Sequence, residues 1–260
     1  MKYRNIIAPV GLPAACAEVQ SVCNQASVYR CGLKPNHLIL PLDAGEGRTT
    51  FLAYMTAMYQ RHGVLPFASG LDDYLEITLD ASSIQKLKQG FEGIDGGYMN
   101  NYENIIGLDV SNVANHMDGP QLPEFLFQVE RLCDSACAVF FVRLTPSRVE
   151  EKLLDKLCDR VDHIKRLPAQ PYTSEDIRDI IIRNITDHDV ALQEETTFRA
   201  KLLEVVKDFG VADVRDAIAA ARSAIHFADF NNHFTPTIDL QGIEAMVKRW
   251  QQNTERGALL

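Results

Sequence analysis

The residues best suited to holding an anion lie together in Asp43-Ala44-Gly45-Glu46-Gly47-Arg48-Thr49-Thr50, directly behind the run Leu38-Ile39-Leu40-Pro41-Leu42. The run reads as a strand and the two glycines as a tight loop. Thr49 and Thr50 then open a helical pattern in which Phe51, Leu52, Met55 and Met58 recur on one face. Strand, glycine loop and helix start are the parts of a phosphate-binding loop, where backbone N–H groups and the positive end of the helix dipole meet a polyphosphate. That motif asks for glycine, four free positions and then Gly-Lys-Ser/Thr. Here it closes as Gly47-Arg48-Thr49, and Leu42 stands where the first glycine belongs. Taken alone, Gly45 and Gly47 fit an ordinary strand-to-helix turn equally well.

The elements that would position such a loop follow from periodicity. Pro13–Cys31 reads as a helix carrying Ala17, Val19, Val22, Cys23 and Ala26, ended by Gly32 and Pro35. Leu38–Leu42 is the first strand, and the helix after the loop spans Thr49–Arg61 with Gly63 closing it. Tyr74–Asp80 alternates with period two and reads as a second strand. Ser82 or Ser83 is placed to cap a helix through Leu87, and the glycine-bearing stretch 90–101 reads as a loop. Asn104–Val110 is a strand ending in an acid, and Leu122–Ala136 is a helix after the Gly119-Pro120 turn. Ala138–Leu144 is apolar enough for a strand covered on both faces, Ser147 caps a helix through Cys158, and Val161–Leu167 is a further strand.

Strands alternating with helices predict a parallel sheet layered between helices. After Pro168 and Pro171 the pattern turns helical, from Ser174 onward and then over Glu194–Phe209, Val211–Phe230 and Ile238–Trp250, with no strand evident. The expected division is an α/β domain over 1–170, a helical domain over 171–250 and a frayed tail over 251–260.

The order of these parts resembles an AAA+ ATPase module from about residue 20 to 250. Asn104–Asp109 looks like the Walker B strand, whose aspartate holds Mg²⁺ through water beside the phosphate loop. Thr145, in Arg143-Leu144-Thr145, lies where the family's sensor-1 polar residue follows its strand. Cys158–Asp162 resembles the segment that presents an arginine finger, here Arg160, to a neighbouring subunit. Leu167–Ile182 resembles the hinge into the lid, and Gly210–Ile218 the sensor-2 turn and helix, with Arg215 in the arginine's place. The resemblance implies a three-layer, parallel-sheet P-loop NTPase core followed by an all-helical lid. It further implies that Asp43, Ala44, Gly45, Glu46, Gly47, Arg48, Thr49 and Thr50 carry the phosphates of ATP or ADP. Thr49 and Asp109 would hold Mg²⁺, while Asp109, Thr145, Arg160 and Arg215 would serve hydrolysis. Implied partners are other AAA+ subunits or copies of the same chain, together with further proteins.

Three departures bear on that chemistry. Arg48 replaces the loop lysine, and a planar guanidinium is not interchangeable with a compact ammonium. Leu42 adds a side chain where glycine normally lets backbone turn tightly around phosphate. Val110 replaces the glutamate that would polarise water, and loss of a positioned base removes ~10²–10⁴ in rate. The resemblance therefore implies a degenerate module that binds nucleotide weakly or structurally and works within an assembly. A nucleotide-free interaction scaffold, with Arg48 paired to Asp109 or Glu46, is the first alternative. A slow ATPase with Glu103 or Asp118 as base is the second. Singly, Asp109 is also a plausible strand-end turn residue, Thr145 a helix-entry residue, and Arg160 and Arg215 surface ion-pair residues.

Composition sets the outer bounds. The 260 residues are 46% hydrophobic and 23% charged, as in an ordinary soluble domain, and no apolar run approaches the ~20 residues of a membrane span. The N-terminus has no sustained apolar core, so a signal peptide is not expected and a cytoplasmic location is. The six cysteines form no CxxC pair; Cys133 and Cys137 could bring two thiolates together, but the set reads better as small core residues in a reducing compartment. A net charge of −9 gives no general attraction to nucleic acid. Contact with it would be indirect or through the basic segment Arg143, Arg148, Lys152, Lys156, Arg160, Lys165 and Arg166, which reads more simply as a solvated face balanced by Glu150, Glu151 and Asp155.

Overall fold

The computed structural model describes residues 6–29, 34–65, 74–79, 105–113, 121–231 and 236–257. Two compact units divide between Gln170 and Pro171. In the first, the described elements are α1 (Pro13–Tyr29), β1 (His37–Pro41), α2 (Arg48–Arg61), β2 (Tyr74–Thr78), β3 (Ile105–Asp109), α3 (Gln121–Ser135), β4 (Cys137–Val142), α4 (Arg148–Arg160) and β5 (Ile164–Arg166). The helix over 82–87, the loop over 90–101 and the candidate bases Glu103 and Asp118 lie outside the described residues.

The strands form one parallel sheet in the order β2-β3-β4-β1-β5, so each connection between neighbouring strands must cross over the sheet. The register sets Asp109 level with Thr78 on one side and Phe141 on the other, and Phe141 level with Leu40. Period-two alternation then sorts the side chains into two layers. Ile39, Ile106, Leu108, Ala138, Phe140 and Val142 pack against Phe125, Val129 and Leu132 of α3 and Leu153, Leu154 and Leu157 of α4. On the other face α2 lies directly over β3. A Cβ at Gly107 would stand only 2.7 Å from Leu52 Cδ1 and 2.9 Å from Phe141 Cε2, so a side chain there would force one of these buried groups to move. The continuous burial of β1, β3 and β4 is the reason these strands read as unbroken apolar runs.

The entry to α4 is set by a side-chain cap. Ser147 Oγ accepts from the Glu150 N–H at 3.3 Å while the Glu150 carboxylate accepts from the Ser147 N–H at 2.6 Å, a reciprocal box that starts α4. Beside β5, Glu18 of α1 accepts from Asn36 Nδ2 at 3.0 Å and pairs with Lys165.

The second unit comprises α5 (Ser174–Thr186), β6 (Ala191–Leu192), α6 (Glu195–Asp208), α7 (Val214–Asn231), β7 (Thr237–Ile238) and α8 (Leu240–Gly257). Its own core gathers Ile177, Ile181, Phe198, Leu202, Ala217, Ala221, Met246 and Trp250. One detail corrects the sequence reading: the helical unit contains a short parallel pair, β6 with β7, too brief to leave a pattern. The last helix spans Leu240–Gly257. Among the described residues no helix is long and apolar enough to cross a membrane.

Candidate functional site

The loop leaves the carboxyl end of β1, where ligands of open parallel sheets collect. Leu42 does not crowd it, contrary to expectation. Its side chain is fully buried in the core and its N–H donates to the Val142 carbonyl at 2.9 Å, leaving only its carbonyl toward α2. The Glu46 N–H donates to the Asp43 carbonyl at 3.2 Å, closing the turn. Gly45 and Gly47 both take left-handed backbone, at φ 87° and 93°, which an L side chain resists. Gly47 caps α2 and, being glycine, brings no side chain of its own to the first N–H groups of that helix.

Arg48 is the first residue of α2, and its side chain turns inward instead of into the loop. It is 4% exposed. Nε donates to the Leu42 carbonyl at 2.8 Å, Nη1 donates to Asp109 Oδ2 at 2.6 Å, and the guanidinium carbon lies 5.0 Å from the centre of the Phe141 ring. The other Asp109 oxygen, Oδ1, accepts from the Ser111 N–H at 3.0 Å. Burial would raise the Asp109 carboxyl, but hydrogen bonding from Ser111 and Arg48, with the guanidinium charge, holds it below the ordinary carboxylate value. The pair is thus bonded and largely shielded from solvent. Thr49, the next residue, is exposed and donates its hydroxyl to Glu76 Oε2 on β2 at 2.9 Å.

The structure therefore brings Arg48 and Thr49 together with Asp109, and adds Glu76, Ser111 and Phe141, which sequence reasoning missed. No sequence signal could have supplied Glu76, because its closeness to Thr49 depends on the β2–β3 register. Asp43, Glu46 and Gly47 are half-buried, and Ala44, Gly45 and Thr50 are exposed along the rim. Thr145 is exposed just past the carboxyl end of β4. Arg160 closes α4 at the opposite, amino end of the strands, where its Nε donates to Glu130 Oε2 at 2.7 Å. Arg215 opens α7 in the second unit, 3.8 Å from Asp213 Oδ1. Val110, after Asp109, is buried and carries no acid or base.

The loop fits a phosphate by its backbone, through two left-handed glycines and a helix start lacking a side-chain cap. It does not fit the divalent cation. The Asp109 carboxylate already faces the Arg48 guanidinium and the Ser111 N–H, and the described residues hold no cluster of three or more histidine, cysteine or acidic side chains arranged for a metal. Cys133 and Cys137 are buried thiols whose pKa burial raises, in the latter to about 12, as befits small core residues. In the basic segment, Arg143, Arg160, Lys165 and Arg166 each face a carboxylate, of Glu150, Glu130, Glu18 and Glu151 respectively.

A strand order with β1 between β4 and β5, a glycine loop after β1, an acid ending β3 and a helical unit to follow give the chain the fold of AAA+ modules, a parallel-sheet α/β core followed by a helical unit. Solved structures agree. Two variants of RuvB from Thermotoga maritima superimpose with TM-scores of 0.54 and 0.56 at 14% and 13% identity, covering 94% of this chain and 69% of theirs. Domain III of the Thermotoga maritima replication initiation protein DnaA gives 0.53 at 16% identity, covering 94% of both chains. At such identities the likeness establishes the fold. No family model matches the sequence, and no curated protein matches it either.

Proposed function

We propose that this chain is an AAA+-type module that works as a scaffolding or regulatory subunit, with its phosphate loop closed to nucleotide because Arg48 is turned away from it onto Asp109, and with no hydrolytic activity. The Arg48–Asp109 pair carries this reading. The cation that would reach for phosphate is bound to the acid that would hold the metal, and Val110 offers no base to activate water. Association with other AAA+ subunits or with copies of itself would then proceed without nucleotide, and contact with nucleic acid would come through partners.

Equilibrium binding of labelled ATP with Mg²⁺ tests it. The wild-type chain is expected to show no saturable binding at millimolar nucleotide. Arg48→Lys, which lacks the Nε donor to Leu42 and the planar fork for Asp109, is expected to release the loop and recover measurable binding. Micromolar binding by the wild type, with phosphate release that Asp109→Ala abolishes, would overturn the reading. A second reading, weak structural binding of ATP or ADP, has its support in Gly45, Gly47 and the α2 start without a side-chain cap. The same titration separates the two.

A further inference from the structure

We infer that Arg48 is a built-in replacement for the divalent cation, and that this loop is a metal-free site. The inference rests on the closed-loop reading above and adds what occupies the cation's place. A Mg²⁺ ion demands near-octahedral oxygen ligands, drawn here from a hydroxyl at the helix start and the acid ending β3. Thr49 and Asp109 are the residues in those positions, and the acid, which would carry the charge of the site, is committed to a cation of the chain's own. Asp109 Oδ2 accepts from the Arg48 guanidinium at 2.6 Å and Oδ1 from the Ser111 N–H at 3.0 Å, while Thr49 Oγ1 donates to Glu76 at 2.9 Å.

The guanidinium is not a casual visitor to this acid. Its Nε is tied to the Leu42 carbonyl at 2.8 Å and it lies over the Phe141 ring, so hydrogen bonds and ring contact hold it beside the carboxylate. Both partners are more than nine-tenths buried, so water screens little of the repulsion that a second cation would meet. An arginine also stays charged throughout the accessible pH range and cannot be chelated away. Positive charge at the end of β3 is therefore permanent and covalently attached, where a metal would come and go with its supply. The side chain at the loop position that usually holds lysine is long enough, as arginine, to reach the acid with Nη1 while Nε stays on the Leu42 carbonyl.

The readout is Asp109-dependent uptake of Mn²⁺ by the full chain without nucleotide, measured by electron paramagnetic resonance of the free ion. Wild type and Asp109→Asn are expected to take up equal amounts, and the wild-type Tm is expected to be the same in EDTA and in millimolar MgCl₂. Arg48→Met, which frees the Asp109 carboxylate, is expected to gain a saturable Mn²⁺ site that the added Asp109→Asn removes. Uptake by the wild type that Asp109→Asn abolishes would overturn the inference, as would a folded Arg48→Met with no such site. The wild-type comparison decides the matter even if Arg48→Met fails to fold. Failure here is distinct from failure of the closed-loop reading. ATP binding by the wild type that is equal in EDTA and Mg²⁺ would sink that reading alone, and Asp109-dependent Mn²⁺ uptake without any ATP binding would sink this one alone.

Discussion

Arg48 and Asp109 are desolvated on both sides, and the energetics of such a pair are lopsided. Removing one partner strands a buried charge at a cost of ~3–5 kcal/mol, whereas replacing both with apolar groups of similar volume is often neutral or better. Arg48→Met is therefore expected to destabilise strongly in urea unfolding, and Arg48→Met/Asp109→Leu to recover most of the loss. A double variant as unstable as the single one would mean the pair is not the source of the effect. His37 supplies a second residue-scale prediction. Its Nδ1 accepts from the Ala138 N–H at 3.0 Å inside the sheet, and burial, with the charges of Lys34 and His163, lowers its pKa from 6.5 to about 4. Between those values the unfolded chain binds the proton that the folded one refuses, so stability is full above pH 6.5 and falls by ~3 kcal/mol as pH drops to about 4. Asp109 has the opposite chemistry, being an acid whose pKa is lowered, and its contribution is present above the ordinary value of 3.8 and lost only below it. The two windows are thus separate. In His37→Asn, where an amide oxygen can still accept from Ala138, the slope between pH 6.5 and 4 should flatten; an unchanged slope would assign it to another group.

At the scale of elements, α2 is aimed by what lies beneath it. Gly107 gives Leu52 and Phe141 the room that seats the helix on β3, and the seated helix delivers Arg48 to Asp109. Gly107→Ala is expected to cost ~1–3 kcal/mol in thermal or urea unfolding, since its Cβ meets two fully buried side chains with nowhere to retreat. A neutral result would show that the α2–β3 contact is looser than its geometry. Much of this level was legible in the sequence. Strands β1, β3 and β4 announced themselves as apolar runs because both faces are covered, and Ser147 with Glu150 marked the start of α4 because a capping box is a local device. The direction of the Arg48 side chain was open between Asp109 and Glu46, since reach alone permits both and only packing against Phe141 decides. Leu42 was misjudged because its residue type shows size but not which way the side chain points, which is into the core. The β6–β7 pair escaped because two residues cannot display a period.

At the scale of the molecule, each unit closes its own hydrophobic core, Ile39 to Val161 with its neighbours in one and Ile177 to Trp250 in the other. Units with separate cores can in principle unfold separately. The chain contains a single tryptophan, Trp250, buried in the second core with its ring centre 5.8 Å from that of Phe209. Its fluorescence therefore reports on the helical unit, while far-UV circular dichroism reports on helices of both. Arg48→Met removes its ~3–5 kcal/mol from the first unit, because Leu42, Asp109 and Phe141, which hold the guanidinium, belong to that unit. Unfolding of this variant in urea is expected to split, with an early transition seen by circular dichroism and a tryptophan transition that stays at the wild-type midpoint. The late transition should match that of a fragment spanning residues 171–260. If fluorescence and dichroism instead shift together and coincide, the two cores melt as one cooperative body, and the loss at Arg48 would be borne by the whole chain.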